Sequence, residues 1–444
     1  LRGLSHEQNL SNKMDNSTKI LAGAACAVGV AAVGGLWLYG VWSAGDALDR
    51  AAMTNFEDVL PEGIKARVSQ YDGAFWQKEF IVSLIAQTDA SSPAEETLAT
   101  FRGTARPGLR TSLELVRVKD AAYEKWTARN GIRDFDDRLE VSYTLWDSLR
   151  FTAGPLPRVR FAYVVKPFTI DDTLICRFEE SRTEVESGDR VTLKTTLPGL
   201  ECLQAGKEAL KLGSTELTYA SEPEAVAQAL KGPADEPAVL ADTEFAFKSG
   251  ALTSPSYSHD SFTLNVTLKL EEGKSKPGRW TERLTFKLAK PVSQDLFLWF
   301  GPETKVDHVR ADVSLTGITD TVNARVNDVV TGPWNIFEMA DRMGYVLIES
   351  FLNLGVATEI NPIEVSVNGQ KAVLTGRVAG EKDEIAQKSE VTGRFDFHAP
   401  AAILPADKIQ PLVDAGYLLN KDGEVTSSVV VTPSRVIVNG KELH

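Results

Sequence analysis

The chain has 444 residues, about three times the usual domain length, so more than one folding unit is expected. Hydrophobic residues make up 43% and charged residues 25%, which excludes wholesale disorder and collagen-like structure. Asp plus Glu outnumber Lys plus Arg by 61 to 48, and a net charge of −13 argues against a nucleic-acid partner. Three cysteines and five scattered histidines (His6, His259, His308, His398 and His444) supply neither a disulfide scaffold nor metal-ligand spacing, so no cofactor or metal is implied.

In chain order the first element is the uncharged run from Ile20 to Trp42. At 1.5 Å per residue it spans roughly 34 Å, enough to cross a bilayer with some tilt. Trp37, Tyr39 and Trp42 near its distal end suit the interface. Arg2, Lys13 and Lys19 precede it and only Arg50 follows closely, which puts residues 1–19 in the cytoplasm and the long remainder outside. A cleaved signal peptide would need a small-x-small exit, which Trp42-Ser43-Ala44 does not provide, and Cys26 lacks the apolar core of a lipoprotein site. Residues 20–42 therefore read as an uncleaved single-pass anchor in a bacterial inner membrane. Met14 marks a more typical start, so residues 1–13 are expected not to be native. Gly23, Ala27, Ala31 and Gly35 fall four apart and form a small-residue ridge against which the helix of a second copy can pack, giving a homodimer; a span so rich in Gly and Ala also produces such a ridge by chance.

After the anchor, Ala47 to Leu60 has a helical pattern, and beyond Pro61-Glu62-Gly63 period two dominates. Val141–Leu145, Phe161–Val165 and Val191–Leu197 read as strands. In the clearest run Phe262, Leu264, Val266, Leu268 and Leu270 alternate with polar neighbours, and Leu284, Phe286 and Leu288 repeat the pattern. Val313 and Leu315 continue it. Leu296 to Phe300 is apolar on both faces and reads as a fully buried strand or, less simply, as part of a groove. Ile363, Val365 and Val367 lead into Asn368-Gly369, which suits a type I′ hairpin, and Val429, Val431, Val436 and Val438 lead to Asn439-Gly440. Helices are expected over Glu222–Leu230, Asn335–Leu354 and Pro405–Leu419, the second with an apolar stripe for packing on a sheet. The fold class is thus α+β and β-rich: one transmembrane helix, then a large antiparallel-sheet ectodomain with a few covering helices. The stretch Glu222–Pro237 marks the expected boundary between halves 43–230 and 231–444.

Catalytic motifs are missing from the sequence: no phosphate loop, G-x-S-x-G, H-E-x-x-H or C-x-x-C. His259-Asp260-Ser261 gathers triad residue types, but neighbours in a strand point to opposite faces. Asp134, Asp136 and Asp137 lack the Gly and Glu of a calcium loop and read as a solvated turn. Asp171-Asp172 and Glu179-Glu180 read as charged strand rims. Cys176 and Cys202 bracket the strand Val191–Leu197 in the presumed exported region, where a disulfide is expected; the alternative is two buried thiols.

Gly40-Val41-Trp42-Ser43-Ala44-Gly45, Tyr71-Asp72-Gly73-Ala74-Phe75-Trp76, Gly416-Tyr417-Leu418, Asp422-Gly423 and Asn439-Gly440-Lys441 together give a layout that resembles the YdgA-like family of bacterial inner-membrane-anchored proteins. The resemblance implies the topology above and carries no catalytic residue. The function expected is non-enzymatic: a membrane-anchored periplasmic body for interaction with an envelope protein or for envelope assembly. The alternative is binding of a lipid or other apolar ligand in a β-sheet groove. On the first reading Phe262, Leu264, Val266, Leu268, Leu284, Phe286 and Leu288 are expected to lie under the helix Asn335–Leu354.

Overall fold

The computed structural model describes residues 64–74, 76–89, 92–144, 160–171, 175–230, 240–271, 279–293, 305–322, 355–382 and 389–443, with Arg325, Arg342, Tyr345, Val346, Glu349 and Ser350. The expected anchor Ile20–Trp42, its ridge Gly23, Ala27, Ala31 and Gly35, the helix Ala47–Leu60, the run Leu296–Phe300 and most of the helix Asn335–Leu354 lie outside these residues. Among the described residues no helix is long and apolar enough to cross a membrane. The fold is β-rich and built on a large antiparallel sheet, and its described chain falls into two compact units.

The first unit takes residues 64–129 and 137–163. Its strands β1 (Ile64–Ala74), β2 (Gln77–Asp89), β3 (Ser92–Arg106), β4 (Arg110–Arg117) and β5 (Asp137–Thr144) pair antiparallel in that order. In β3 Gly103 lies directly opposite Phe80, whose ring fills the space a side chain at 103 would need. An aromatic ring thus covers a strand position with nothing of its own to pack. Helix α1 (Ala121–Arg129) packs on β3 and was not foreseen from the sequence. It starts where Asp120 accepts a hydrogen bond from the Tyr123 N–H at 2.9 Å, an N-cap signal hidden among strand residues.

Asp137 is not in a solvated turn. It is the first residue of β5 and is 1% exposed. The Arg117 guanidinium donates to both of its oxygens, the second at 2.9 Å, and the Tyr163 hydroxyl donates at 2.7 Å. The guanidinium also lies 4.8 Å from the Phe101 ring centre and 5.7 Å from that of Trp126, so sheet and helix converge on one charge. A carboxylate buried this far survives because both of its oxygens have donors and one of these is a guanidinium. Asp137→Ala should lower the stability of this unit by about 3–5 kcal/mol, the usual cost of breaking a buried ion pair, in denaturant titrations followed by Trp fluorescence. Burial first, then Asp137, push the Tyr163 hydroxyl from 10.0 up to about 12. A folded-state pKa above the unfolded one stabilises fully below the unfolded value and ceases to do so once pH passes the folded value. The stability gap between wild type and Tyr163→Phe should therefore close as pH rises from 10.0 to about 12.

The second unit takes residues 130–136 and 164–443. Its main sheet runs in chain order through β6 (Ser181–Glu186), β7 (Val191–Leu197), β8 (Thr215–Ser221), β9 (Thr243–Ser249), β10 (Ser261–Leu270), β11 (Trp280–Ala289), β12 (Val306–Ile318), β13 (Ala357–Val367), β14 (Gln370–Lys382), β15 (Ser389–Pro400), β16 (Glu424–Thr432), β17 (Arg435–Val438) and β18 (Lys441–Leu443). Each pairs antiparallel with the next. The expected boundary at Glu222–Pro237 does not divide this sheet. β8 and β9 on either side of it pair from Thr215 with Ser249 to Ala220 with Glu244, and the short helix α2 (Pro223–Leu230) sits within the connection between them.

Turn chemistry sets the register. Asn368 and Gly369 take φ of 51° and 77°, and Asn439 and Gly440 take 50° and 80°, the paired positive values a type I′ hairpin needs. Asn361-Pro362 forms a bulge at which β13 loses register with both neighbours, a place where a proline costs no ladder bond. Helix α3 (Ala406–Asp414) ends earlier than expected, because Gly416 turns left-handed at φ 79° and Leu419 already pairs with Thr426.

Several strands of the main sheet continue, across short links, into a smaller sheet of the same unit. It is ordered Val292–Ser293, Tyr257–His259, Leu252–Thr253, Lys207–Leu212, Leu200–Gln204, Ile175–Phe178, Phe168–Asp171 and Ile132–Arg133. At one link the Gly213 N–H donates to the Ala251 carbonyl and the Gly250 N–H to that of Ser214, both at 2.7 Å. The backbones come so close there that a side chain at either glycine would meet main-chain atoms at 3.2–3.3 Å. Phe168 and Phe178 stack in this sheet with ring centres 4.5 Å apart, and Phe135 meets Phe168 edge-on.

Candidate functional site

Directly paired residues of an antiparallel sheet share a face, so the registers of β6–β17 define what each face of the main sheet presents. One line of pairs reads Val185, Leu193, Tyr219, Phe245, Val266, Leu284, Val313, Ile360, Gly376, Phe395, Val429 and Val438. It crosses all twelve strands, roughly 50 Å along the sheet at about 4.8 Å per spacing, without a polar side chain apart from the Tyr219 hydroxyl. A second line beside it reads Leu217, Phe247, Leu264, Phe286, Ala311, Ile363, Leu374 and Phe397.

Two buried clusters bound this apolar face. At one end of the strands Leu240, Ile318, Val322 and Val356 close over Leu268, Trp280 and Leu315. At the other, Val306, Val367, Ala399 and Ile403 pack with Val309, Val365 and Phe397. Between them Phe245, Val266, Leu284, Val313 and Ile360, like Leu264 and Phe286 beside them, are only half-buried. Phe262, Leu264, Val266, Leu268, Leu284, Phe286 and Leu288 are all partly exposed, with Leu268 packed against the first cluster, and the helix Asn335–Leu354 expected to cover them lies mostly outside the described residues.

The opposite face is polar and laced with ion pairs. Lys194 and Lys248 reach Glu216 at 2.9 and 3.8 Å, and Arg283 donates to Asp312 at 2.9 Å. Glu364 is the exception to the exposed pattern, being 3% exposed. It accepts from His308 Nε2 at 2.8 Å, Arg310 at 3.0 Å and Lys371 at 3.2 Å. Burial would raise its pKa, but the bonds from His308 and Lys371 and the charge of Arg310 outweigh that and hold it below the usual value.

The structure brings Cys176 and Cys202 together. They face one another across the small sheet, with Cα atoms 4.0 Å apart, and are joined as a disulfide. His259, Asp260 and Ser261 are not brought together. His259 is buried beside the Tyr257 hydroxyl at 3.2 Å, Asp260 pairs with Lys290 at 2.6 Å, and Ser261 is exposed at the start of β10. Asp136 pairs with Lys166 at 2.6 Å and Asp134 occupies a left-handed turn. Glu179 and Glu180 are exposed beside their strand, whereas Asp172 lies outside the described residues. Among the described residues no group of His, Cys, Asp or Glu is arranged to hold a metal ion.

One inward-facing residue escaped the sequence reading. Glu282 stands in phase with Leu284, Phe286 and Leu288 and pairs across with Leu268 on one side and Leu315 on the other, placing a carboxylate on the apolar face. The signal was its phase, which breaks the alternation of β11. The chain matches no protein-family model, and neither a curated protein nor a solved structure is detectably similar to it.

Since Glu364 has a folded-state pKa below 4.5, its stabilisation is present above that pH and is lost as pH falls through the folded value. The stability advantage of wild type over Glu364→Gln should therefore hold at neutral pH and vanish on acidification below 4.5, as read by denaturant titration at each pH.

Proposed function

We propose that the second unit binds the apolar part of an amphiphile, such as a lipid, along the face of its main sheet, and that the chain does so as a non-enzymatic protein tethered to the bacterial inner membrane by residues 20–42. The observation that carries the reading is the half-buried line from Val185 to Val429, apolar across eleven strands and flanked by two closed clusters. Full burial of a Val, Leu or Phe side chain contributes about 1.5–3 kcal/mol, and residues held half-way to it retain part of that sum for a ligand that covers them. The face is longer than the roughly 30 Å hydrocarbon thickness of a bilayer, so an acyl chain fits within it in extended form. The tether, the outward orientation and the likeness to YdgA-like proteins rest on the sequence, and an envelope location would bring the face within reach of lipid. The assembly-scaffold reading needs this face closed, and the partial exposure of Val266 and Leu284 favours the ligand reading over it.

Val266→Glu separates the two. On an accessible face the variant should fold with a loss of no more than about 2 kcal/mol, while its affinity for an apolar fluorophore should fall tenfold or more. Global unfolding of the variant would place Val266 in a closed core and reject the binding face.

A further inference from the structure

Among the described side chains on the apolar face of β6–β17, Glu282 is the only carboxylate. It has no hydrogen-bond or ion-pair partner among the described residues, in contrast to Glu216, Glu364 and Asp312 on the polar face. It sits next to the cluster closed by Leu240, Ile318, Val322 and Val356, through its cross-strand neighbours Leu268 and Leu315. A carboxylate in that position loses solvation without gaining a donor, a cost that proteins usually remove by pairing or by substitution. A ligand bearing a donor would remove it.

Resting on the apolar-face reading above, we propose that Glu282 selects the ligand's head group, and that the preferred class is long-chain amphiphiles with a primary ammonium. The alkyl chain lies on the line through Val266 and Leu284, and the ammonium donates to the Glu282 carboxylate at the end of the face near Leu315. Burial holds the Glu282 carboxyl above its ordinary range in the unliganded protein, as expected of a group without a counter-ion. Hydrogen bonds that involve a charge in a desolvated site discriminate on the order of 10- to 100-fold, whereas the chain contributes equally whatever head group it bears.

The test measures displacement of an apolar fluorophore from the full chain by three probes of equal chain length: a primary alkylamine, a fatty acid and a primary alcohol. Wild type should prefer the amine to the fatty acid by on the order of 10-fold or more. Glu282→Gln, checked for folding by circular dichroism, should bind the alcohol as wild type does and lose the amine preference; Glu282→Asp should keep part of it. An equal amine preference in wild type and Glu282→Gln, or none in wild type while the alcohol still binds, would overturn the role of Glu282 and leave the apolar face standing. Failure of all three probes to bind wild type would overturn both.

Discussion

An antiparallel strand presents two faces, and a sheet that has made one of them apolar must cover it with something. The second unit is governed by this constraint. From Val185 to Val438 the pairing keeps one apolar line on the same side, so the apolar strip grows with each strand added. Among the described residues its margins are closed, by the cluster around Val356 at one end of the strands and the cluster around Val367 at the other. A covering layer would have to meet Phe245, Val266 and Leu284 from above, and these residues remain partly open. A molecule that supplies hydrocarbon satisfies the same requirement as a second layer of protein.

The polar face explains how such a sheet stays a single, ordered layer. Its charges are arranged in cross-strand pairs, as at Arg283 and Asp312, and Glu364, its deeply buried carboxylate among the described residues, is held by His308 and Arg310 from β12 and Lys371 from β14. Exposed pairs contribute little individually, but they disfavour a register slip, because a shift of one residue would carry Arg283 and Asp312 onto the apolar side. In the first unit Asp137 has the corresponding place, with Arg117 and Tyr163 from different parts of the chain converging on it. The Cys176–Cys202 bridge ties neighbouring strands of the small sheet.

Much of this was legible because period two is a local property. The alternation of Phe262 to Leu270 and of Leu284 to Leu288 needs no partner to be seen, and Asn368-Gly369 announces its turn by chemistry alone. What could not be read is where each face ends up. Whether Val266 is covered depends on segments far from it in sequence, and the pattern is the same for a closed core and an open face. Asp137 looked solvated among neighbouring aspartates because its partners, Arg117 and Tyr163, lie 20 and 26 residues away. The boundary expected at Glu222–Pro237 followed composition, whereas β8 and β9 pair across it regardless. Glu282 was passed over because one charged residue in a good strand reads as noise until its cross-strand neighbours are known to be leucines.

Thiol accessibility measures how open the apolar face is in the folded protein. Val266→Cys, in a chain whose Cys26 is replaced by serine so that Cys176 and Cys202 remain bridged, places a single free thiol at the middle of the face. On this account a small apolar maleimide should label it in the native state within about tenfold of the rate in denaturant, and a saturating alkyl amphiphile should protect it. Labelling limited to the rate of global unfolding, and unchanged by the amphiphile, would show a closed core and contradict the account.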